Sequence, residues 1–363
     1  MKGYIVYSDY QIINNETIIQ LYGRLENGES FVTQSPLIPY FYIKEKDLNS
    51  VAQLLSKYKI EKTNLVNFDN EKVIKISAST STELNKLNQV IHKKVQTYEA
   101  DIKPALRFLM DNDILGTINV SGDYQSSEKI NRIYNNPEIK PIYFKPKLKI
   151  ASIDIESSKK TGGLFCIGIY TENHKKVFMI TSHNLKNTIK CKTESECLKK
   201  FKEEIIKLDP DIITGWNVIS FDLQYLKELF AKHKISIDLG RNNEQLKLRI
   251  ESNFFRSSNA DIAGRQVLDA LNLIKDPFIQ EAPTIKKAEF DSYTLEDVSQ
   301  AILGSGKLIK GKKRHEEIEG LYHKNTEASH QKLSDYNLMD CQLVYEILEK
   351  TKMIDLAIER SQL

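Results

Sequence analysis

Apolar runs of strand length open the chain. YIVYS (4–8), TIIQLYGRL (17–25) and YFYI (40–43) are rich in β-branched and aromatic residues, and NN, ENG and SP turn material separates them. Helical spacing follows over 48–59 and 82–95, and TYEADIKPALRFLMDN (97–112) enters a helix after Pro104 before ILGTINVSG returns to strand. Pro137, Pro141 and Pro146 then interrupt IYNNPEIKPIYFKPK, which predicts an extended linker closing a first domain over 1–146.

Beyond Pro146 the pattern changes. LKIASIDIES, LFCIGIYT and KVFMITS, separated by GG and ENHK turns, predict a meander of three antiparallel strands. SECLKKFKEEIIKL sets Leu198, Phe201, Ile205 and Leu208 near one face of a helix. DPDIITGWN predicts a short strand and FDLQYLKELFAKHK a helix, while RQVLDALNLI mixes both signals. YTLEDVSQAILG predicts a helix stopped by Gly304, and a last long helix runs from about Ser329 toward Glu359 with a break near Lys352. Lysine-rich GKLIKGKKRHEE (306–317) predicts an exposed loop. The order βββαβα, then more helix, gives an α/β class for a second domain over 147–363: a mixed sheet with helices against it.

With 363 residues the chain can build two substantial cores, and 40% hydrophobic with 28% charged residues excludes a disordered tail. The net charge of +3 neither demands nor excludes a nucleic-acid partner. Cys166, Cys191, Cys197 and Cys341 form no CxxC pair, which argues against a zinc site and fits a reducing cytosol. MKGYIVYSDY lacks the apolar core of a signal peptide, and no window approaches the ~18 apolar residues of a membrane span. The expectation is a cytoplasmic protein without a membrane partner.

The chemistry lies in the acids. In SIDIES, strand alternation turns Asp154 and Glu156 to one face and Ile153 and Ile155 to the other. Paired carboxylates repel, and a hard divalent cation relieves the repulsion; a solvated strand face also tolerates them. Asp222 stands where a strand gives way to a helix, a common ligand position and equally a favourable helix cap. Tyr336 and Asp340 are four apart on one helix face, among Leu338, Leu343, Val344 and Ile347.

Together these residues resemble the DEDDy 3′→5′ exonuclease domain of family B DNA polymerases, most like its bacterial DNA polymerase II branch. The family's first motif, Asp-Ile-Glu, matches Asp154-Ile155-Glu156. Its second, Asn-x3-Phe-Asp, matches Asn217 through Phe221-Asp222. Its third, Tyr-x3-Asp, matches Tyr336 through Asp340. YEADIKPALRFLMD (98–111) also resembles the segment that precedes this exonuclease, so the likeness covers essentially the whole chain.

The resemblance implies a ribonuclease H-like exonuclease domain behind a mixed α/β N-terminal domain, and a two-metal Mg²⁺ or Mn²⁺ site held by Asp154, Glu156, Asp222 and Asp340. It implies that Tyr336 orients the attacking water while Asn217 and Phe221 hold the 3′-terminal nucleotides. Asp269 would support the site. The substrate would be a single-stranded DNA 3′ end or a primer-template, the chain a monomer of bacterial origin. The SLYPS- and YGDTD-type polymerase motifs do not occur in the 363 residues, so the expectation is a proofreading fragment of a DNA-directed DNA polymerase whose missing C-terminal part could reach a sliding clamp. A stand-alone nuclease of the same superfamily and a non-catalytic nucleic-acid-binding scaffold are the alternatives. LGSGKLI (303–309) is not a phosphate-binding loop: Lys307 is followed by Leu308, and Ala301 stands where the first glycine belongs.

Overall fold

A long hairpin begins the chain: β1 (Lys2–Ile13) and β2 (Glu16–Leu25) turn through Asn14 and Asn15, whose φ angles of 50° and 63° are those a tight hairpin turn demands. The computed structural model describes residues 1–145, 147–251, 258–283, 285, 290–309 and 314–361. The chain divides into two compact units, Met1–Pro146 and Lys147–Leu363.

In the first unit β3 (Ser30–Leu37), β4 (Tyr40–Lys44), α1 (Leu48–Leu55), β5 (Lys59–Val66), β6 (Lys72–Ser77), α2 (Ser81–Ile91), β7 (Thr97–Tyr98) and α3 (Pro104–Asp111) follow the hairpin. β8 (Thr117–Ser121), β9 (Tyr124–Gln125), β10 (Arg132–Asn135) and β11 (Glu138–Pro141) complete it. One sheet has the order β11-β8-β1-β2-β3-β10-β9 and a second β5-β6-β4-β7. α1 and α2 bury Val51, Leu55, Leu84 and Ile91 against Phe41 and Ile76 of the second sheet.

The expected proline-broken linker is largely sheet. β10 pairs in parallel with β3, and β11 pairs with β8. The prolines do not prevent this: Pro137 sits between the strands, and Pro141 ends β11 at the sheet edge, where no ladder N–H is required. Pro146 lies outside the described residues.

The second unit contains the expected meander: β12 (Ile150–Ser157), β13 (Leu164–Tyr170) and β14 (Lys175–Ile180), each antiparallel to the next. β15 (Thr188–Cys191), α4 (Glu194–Leu208), β16 (Ile212–Gly215), α5 (Asp222–Lys232) and the ribbon β17 (Lys247–Arg249) and β18 (Asn259–Asp261) follow. β19 (Gln266–Asp269), α6 (Ala270–Lys275), α7 (Pro277–Gln280), α8 (Leu295–Leu303), α9 (Arg314–Lys324), α10 (Glu327–Thr351) and α11 (Met353–Ser361) end the chain. The mixed sheet runs β15-β14-β13-β12-β16-β19, with β16 parallel to β12 and β19 parallel to β16.

The alternation in SIDIES decides which helix covers which face. Ile153 and Ile155 pack with Leu198 and Phe201 of α4 and Leu223 and Phe230 of α5. α10 lies against β12 and β13 from the other side. Thr326 caps α10 by accepting from the Ser329 amide at 3.2 Å, and Lys352 ends it with φ of 57°, at the expected break. Gly304, with φ of 71°, ends α8 as its position predicts. The exposed-loop reading of 306–317 needs correction. Lys307 and Ile309 are buried, and Arg314–Glu317 open α9; residues 310–313 lie outside the described residues. The lysines mask two inward-facing side chains.

Candidate active site

β12 supplies two acids and α10 a third. Ligand oxygens of Asp154, Glu156 and Asp340 lie within 4.8 Å of one another, a cluster able to coordinate a metal ion. Asp154 and Glu156 are half-buried on the face of β12 against which α10 lies, and Asp340 is buried. Burial drives the carboxyl of Asp154 upward and the Asp340 charge adds to it, so its pKa is pushed up to about 7. Glu156 is raised well above the carboxylate range by burial, then by Asp154 and Asp340. Burial raises Asp340 as well, opposed by Lys307.

The donor set fits a divalent cation. It is all oxygen and carries more negative charge than the neighbouring cations relieve. Asp340 Oδ1 is buried without a hydrogen-bond partner among the described residues. Such an atom is costly to leave bare.

Asp222 is not brought into that cluster. β16 ends at Gly215, so its pairing with β12 stops at Ser152–Thr214. The Ile155 amide beyond that point donates to Asp222 Oδ1 at 3.0 Å, so this carboxylate stands in for a strand carbonyl. Asp222 is buried at the start of α5; burial and then the Asp154 charge raise its pKa well above the usual range. One of its oxygens is therefore committed to the fold.

Tyr336 is buried on the same face of α10 as Asp340. Its hydroxyl accepts from Lys307 Nζ at 3.1 Å, and the same ammonium ion-pairs with Asp340 Oδ2. Burial, then the charges of Asp340, Glu156 and Asp154, push the phenol far above its ordinary pKa. Lys307 arrives from the loop after α8. Its backbone amide donates to Glu296 Oε2 at 2.6 Å, and at Gly306 a Cβ would come 2.6 Å from that carboxylate. In the sequence Lys307 figures only in the expected exposed loop 306–317 and in the rejected phosphate-loop match. Arg314, the first residue of α9, also acts electrostatically on Asp154, Glu156, Tyr336 and Asp340. α9 is tied back to the end of β12 by Ser158 Oγ donating to Glu319 Oε1 at 2.8 Å. Asn337, between the two third-motif residues, donates to Asp154 Oδ2 at 2.7 Å.

Asn217 and Phe221 occupy the turn between β16 and α5. Asn217 has a left-handed φ of 59°, and Phe221 leaves 51% of its surface exposed, so its ring is not spent on the core. Asp269 braces this turn by accepting from the amides of Asn217 and Ile219, both at 3.1 Å.

A scan against known families matches the DNA polymerase family B exonuclease domain over residues 160–298. This range includes Asn217, Phe221 and Asp222. The chain is 27% identical over 371 residues to DNA polymerase II of Escherichia coli, covering 99% of this chain and 45% of that protein. It is 27% identical over 360 residues to a DNA polymerase of Methanocaldococcus jannaschii, covering 94% and 20%. The solved family B DNA polymerase of Pyrobaculum calidifontis superposes with a TM-score of 0.76 at 19% identity, over 100% of this chain and 47% of that one.

The chain carries a domain related to the family B polymerase exonucleases.

The mixed α/β fold of this exonuclease-like domain is accordingly of the ribonuclease H-like kind. The chain spans less than half the length of these relatives, which are both bacterial and archaeal. No helix among the described residues is long and apolar enough to cross a membrane.

Proposed function

We propose that the chain removes nucleotides from DNA 3′ ends by hydrolysing the terminal phosphodiester, as the proofreading part of a family B polymerase of the DNA polymerase II type. The observation that carries this reading is the convergence of Asp154, Glu156 and Asp340 within 4.8 Å, with the Tyr336 hydroxyl beside them on α10. DNA synthesis would belong to polymerase motifs not found in these 363 residues.

Asp154, Glu156 and Asp340 would hold Mg²⁺ or Mn²⁺, with Asp222 lending its remaining oxygen to a second position. Bound cations would supply positive charge where the attacking and leaving oxygens develop negative charge. Tyr336 works as a donor and not as a base. Its pKa is raised, its oxygen accepts from Lys307, and its hydroxyl bonds to Asp340, so once a cation held the Asp340 carboxylate the hydroxyl hydrogen would turn to a water or a phosphate oxygen. Lys307 and Arg314 give the site fixed positive charge for the scissile phosphate. Phe221 offers an exposed ring on which a terminal base stacks, a contact tolerant of sequence. Asn217 offers its amide beside it.

The deciding experiment incubates 3′-labelled single-stranded DNA with the protein in Mg²⁺, in Mn²⁺ and in EDTA, with RNA as competitor. Release of label only with metal, and loss of that release in Asp154→Ala with single-strand binding retained, is the expected result. Trimming by Asp154→Ala at the unmodified rate would overturn the assignment. Binding without any metal-dependent trimming would favour the scaffold alternative.

A further inference from the structure

We propose that Asn337 is a positioning residue that fixes the Asp154 carboxylate for a divalent cation. The inference rests on the reading of Asp154, Glu156 and Asp340 as cation ligands and adds a residue at an unspecified position of the third motif.

Asn337 is a fully buried residue of α10, and its two amide atoms are treated very differently. Nδ2 donates to Asp154 Oδ2 at 2.7 Å. Oδ1 has no partner among the described residues. A buried amide that wastes its acceptor is a poor device for stability alone, because an apolar side chain of similar size would avoid the penalty. The opposite amide rotamer would set Oδ1 against the carboxylate, lone pairs against lone pairs, so the charge on Asp154 selects the observed one.

The backbone is shaped to permit this contact. Gly168 on β13 is the cross-strand partner of Asp154. A Cβ there would overlap Asn337 Oδ1 and come 2.8 Å from Cys341 Sγ. α10 therefore settles onto β13 at Gly168, where the strand carries no side chain, and that approach delivers Asn337 to Asp154.

Neutrality is what distinguishes this donor from Lys307. An ammonium on Asp154 would cancel the charge that draws a cation. An amide holds the carboxylate at one rotation about Cβ–Cγ and leaves that charge in place. Partners of this kind orient metal ligands, and removing them weakens metal binding roughly 10- to 100-fold.

The test measures Mn²⁺ binding to metal-free protein by the electron paramagnetic resonance signal of free Mn²⁺, for the unmodified chain, Asn337→Leu, Asn337→Ser and Asp154→Ala. Melting in EDTA reports folding, and trimming of single-stranded DNA separates kcat from KM. Both Asn337 variants should bind Mn²⁺ roughly tenfold more weakly or worse and lose kcat with KM unchanged. Asn337→Leu should melt in EDTA close to the unmodified protein. Unchanged Mn²⁺ affinity in a folded Asn337 variant overturns the proposal, whatever its melting temperature. Failure of both variants to fold also overturns it, since Asn337 would then be a packing requirement. If Asp154→Ala binds Mn²⁺ like the unmodified chain, the cation-site reading itself falls.

Discussion

The ammonium of Lys307 is paired with Asp340 and stands 3.1 Å from the Tyr336 hydroxyl, so one buried cation touches both third-motif residues. In the metal-free protein it offsets part of the repulsion among three clustered carboxylates. It also occupies one oxygen of a residue whose other oxygen is bare. Lys307 would thus both stabilise the cluster when no cation is bound and compete with a cation for Asp340.

Replacing it with methionine separates these effects. Lys307→Met should lower stability in EDTA by about 3 kcal/mol, the scale for stripping a buried acid of its partner. Mn²⁺ affinity should rise several-fold because a competitor is gone. The rate of 3′-end trimming should fall, because Tyr336 loses the donor that orients it. Weaker Mn²⁺ binding in this variant would show that Lys307 supports the cation and does not oppose it.

The raised carboxyl pKa values fix the sign of a pH effect. Asp154 titrates near 7 in the folded chain and near the ordinary carboxylate value once unfolded. Between those values the folded state binds more protons, so stability from this group is full at low pH and is lost as pH rises through about 7. Glu156 and Asp222 are shifted in the same direction. In EDTA, the melting temperature of the unmodified chain relative to Asp154→Asn should therefore fall between about pH 5 and pH 8. Mg²⁺ selects the ionised cluster, so the rise in melting temperature on adding it should be larger at the higher pH. A Mg²⁺ effect that shrinks with rising pH would contradict the assignment.

Much of this site was legible because it follows short periods. Asp154 and Glu156 share a face by strand alternation, and Tyr336 and Asp340 by helical spacing; both pairs face inward at the cluster. What was not legible depends on distant chain ends meeting. Lys307 enters because its loop is fastened to Glu296, eleven positions earlier. Asp222 turns to the Ile155 amide because β16 ends where it does. The buried pair Arg241–Asp211 at 2.6 Å joins residues 30 apart that no local pattern couples. β11 escaped notice because prolines read as breaks in a sequence are harmless at a sheet edge.

Phe221 gives a prediction in which binding and stability part company. The residue is 51% exposed, so Phe221→Ala should change stability by no more than about 0.5 kcal/mol. A lost base-stacking contact is worth ~1–3 kcal/mol, so KM for single-stranded DNA should rise roughly tenfold. Steady-state trimming and thermal melting measure the two quantities. A large drop in stability with KM unchanged would mean that the ring serves packing.

Asp269 should show the reverse pattern. It is buried, caps α6 through the Leu271 amide at 3.0 Å, and holds the amides of Asn217 and Ile219. Asp269→Ala leaves those three donors without their acceptor and should cost about 3 kcal/mol. Asp269→Asn retains an acceptor oxygen and should cost about 1 kcal/mol. Because the freed amides belong to the turn that presents Phe221, the milder variant should still raise KM for DNA while leaving Mn²⁺ affinity unchanged. Melting, steady-state trimming and Mn²⁺ titration of Asp269→Asn test this together. Loss of Mn²⁺ binding would place Asp269 within the metal site, and an unaltered KM would show that the turn keeps its shape without this brace.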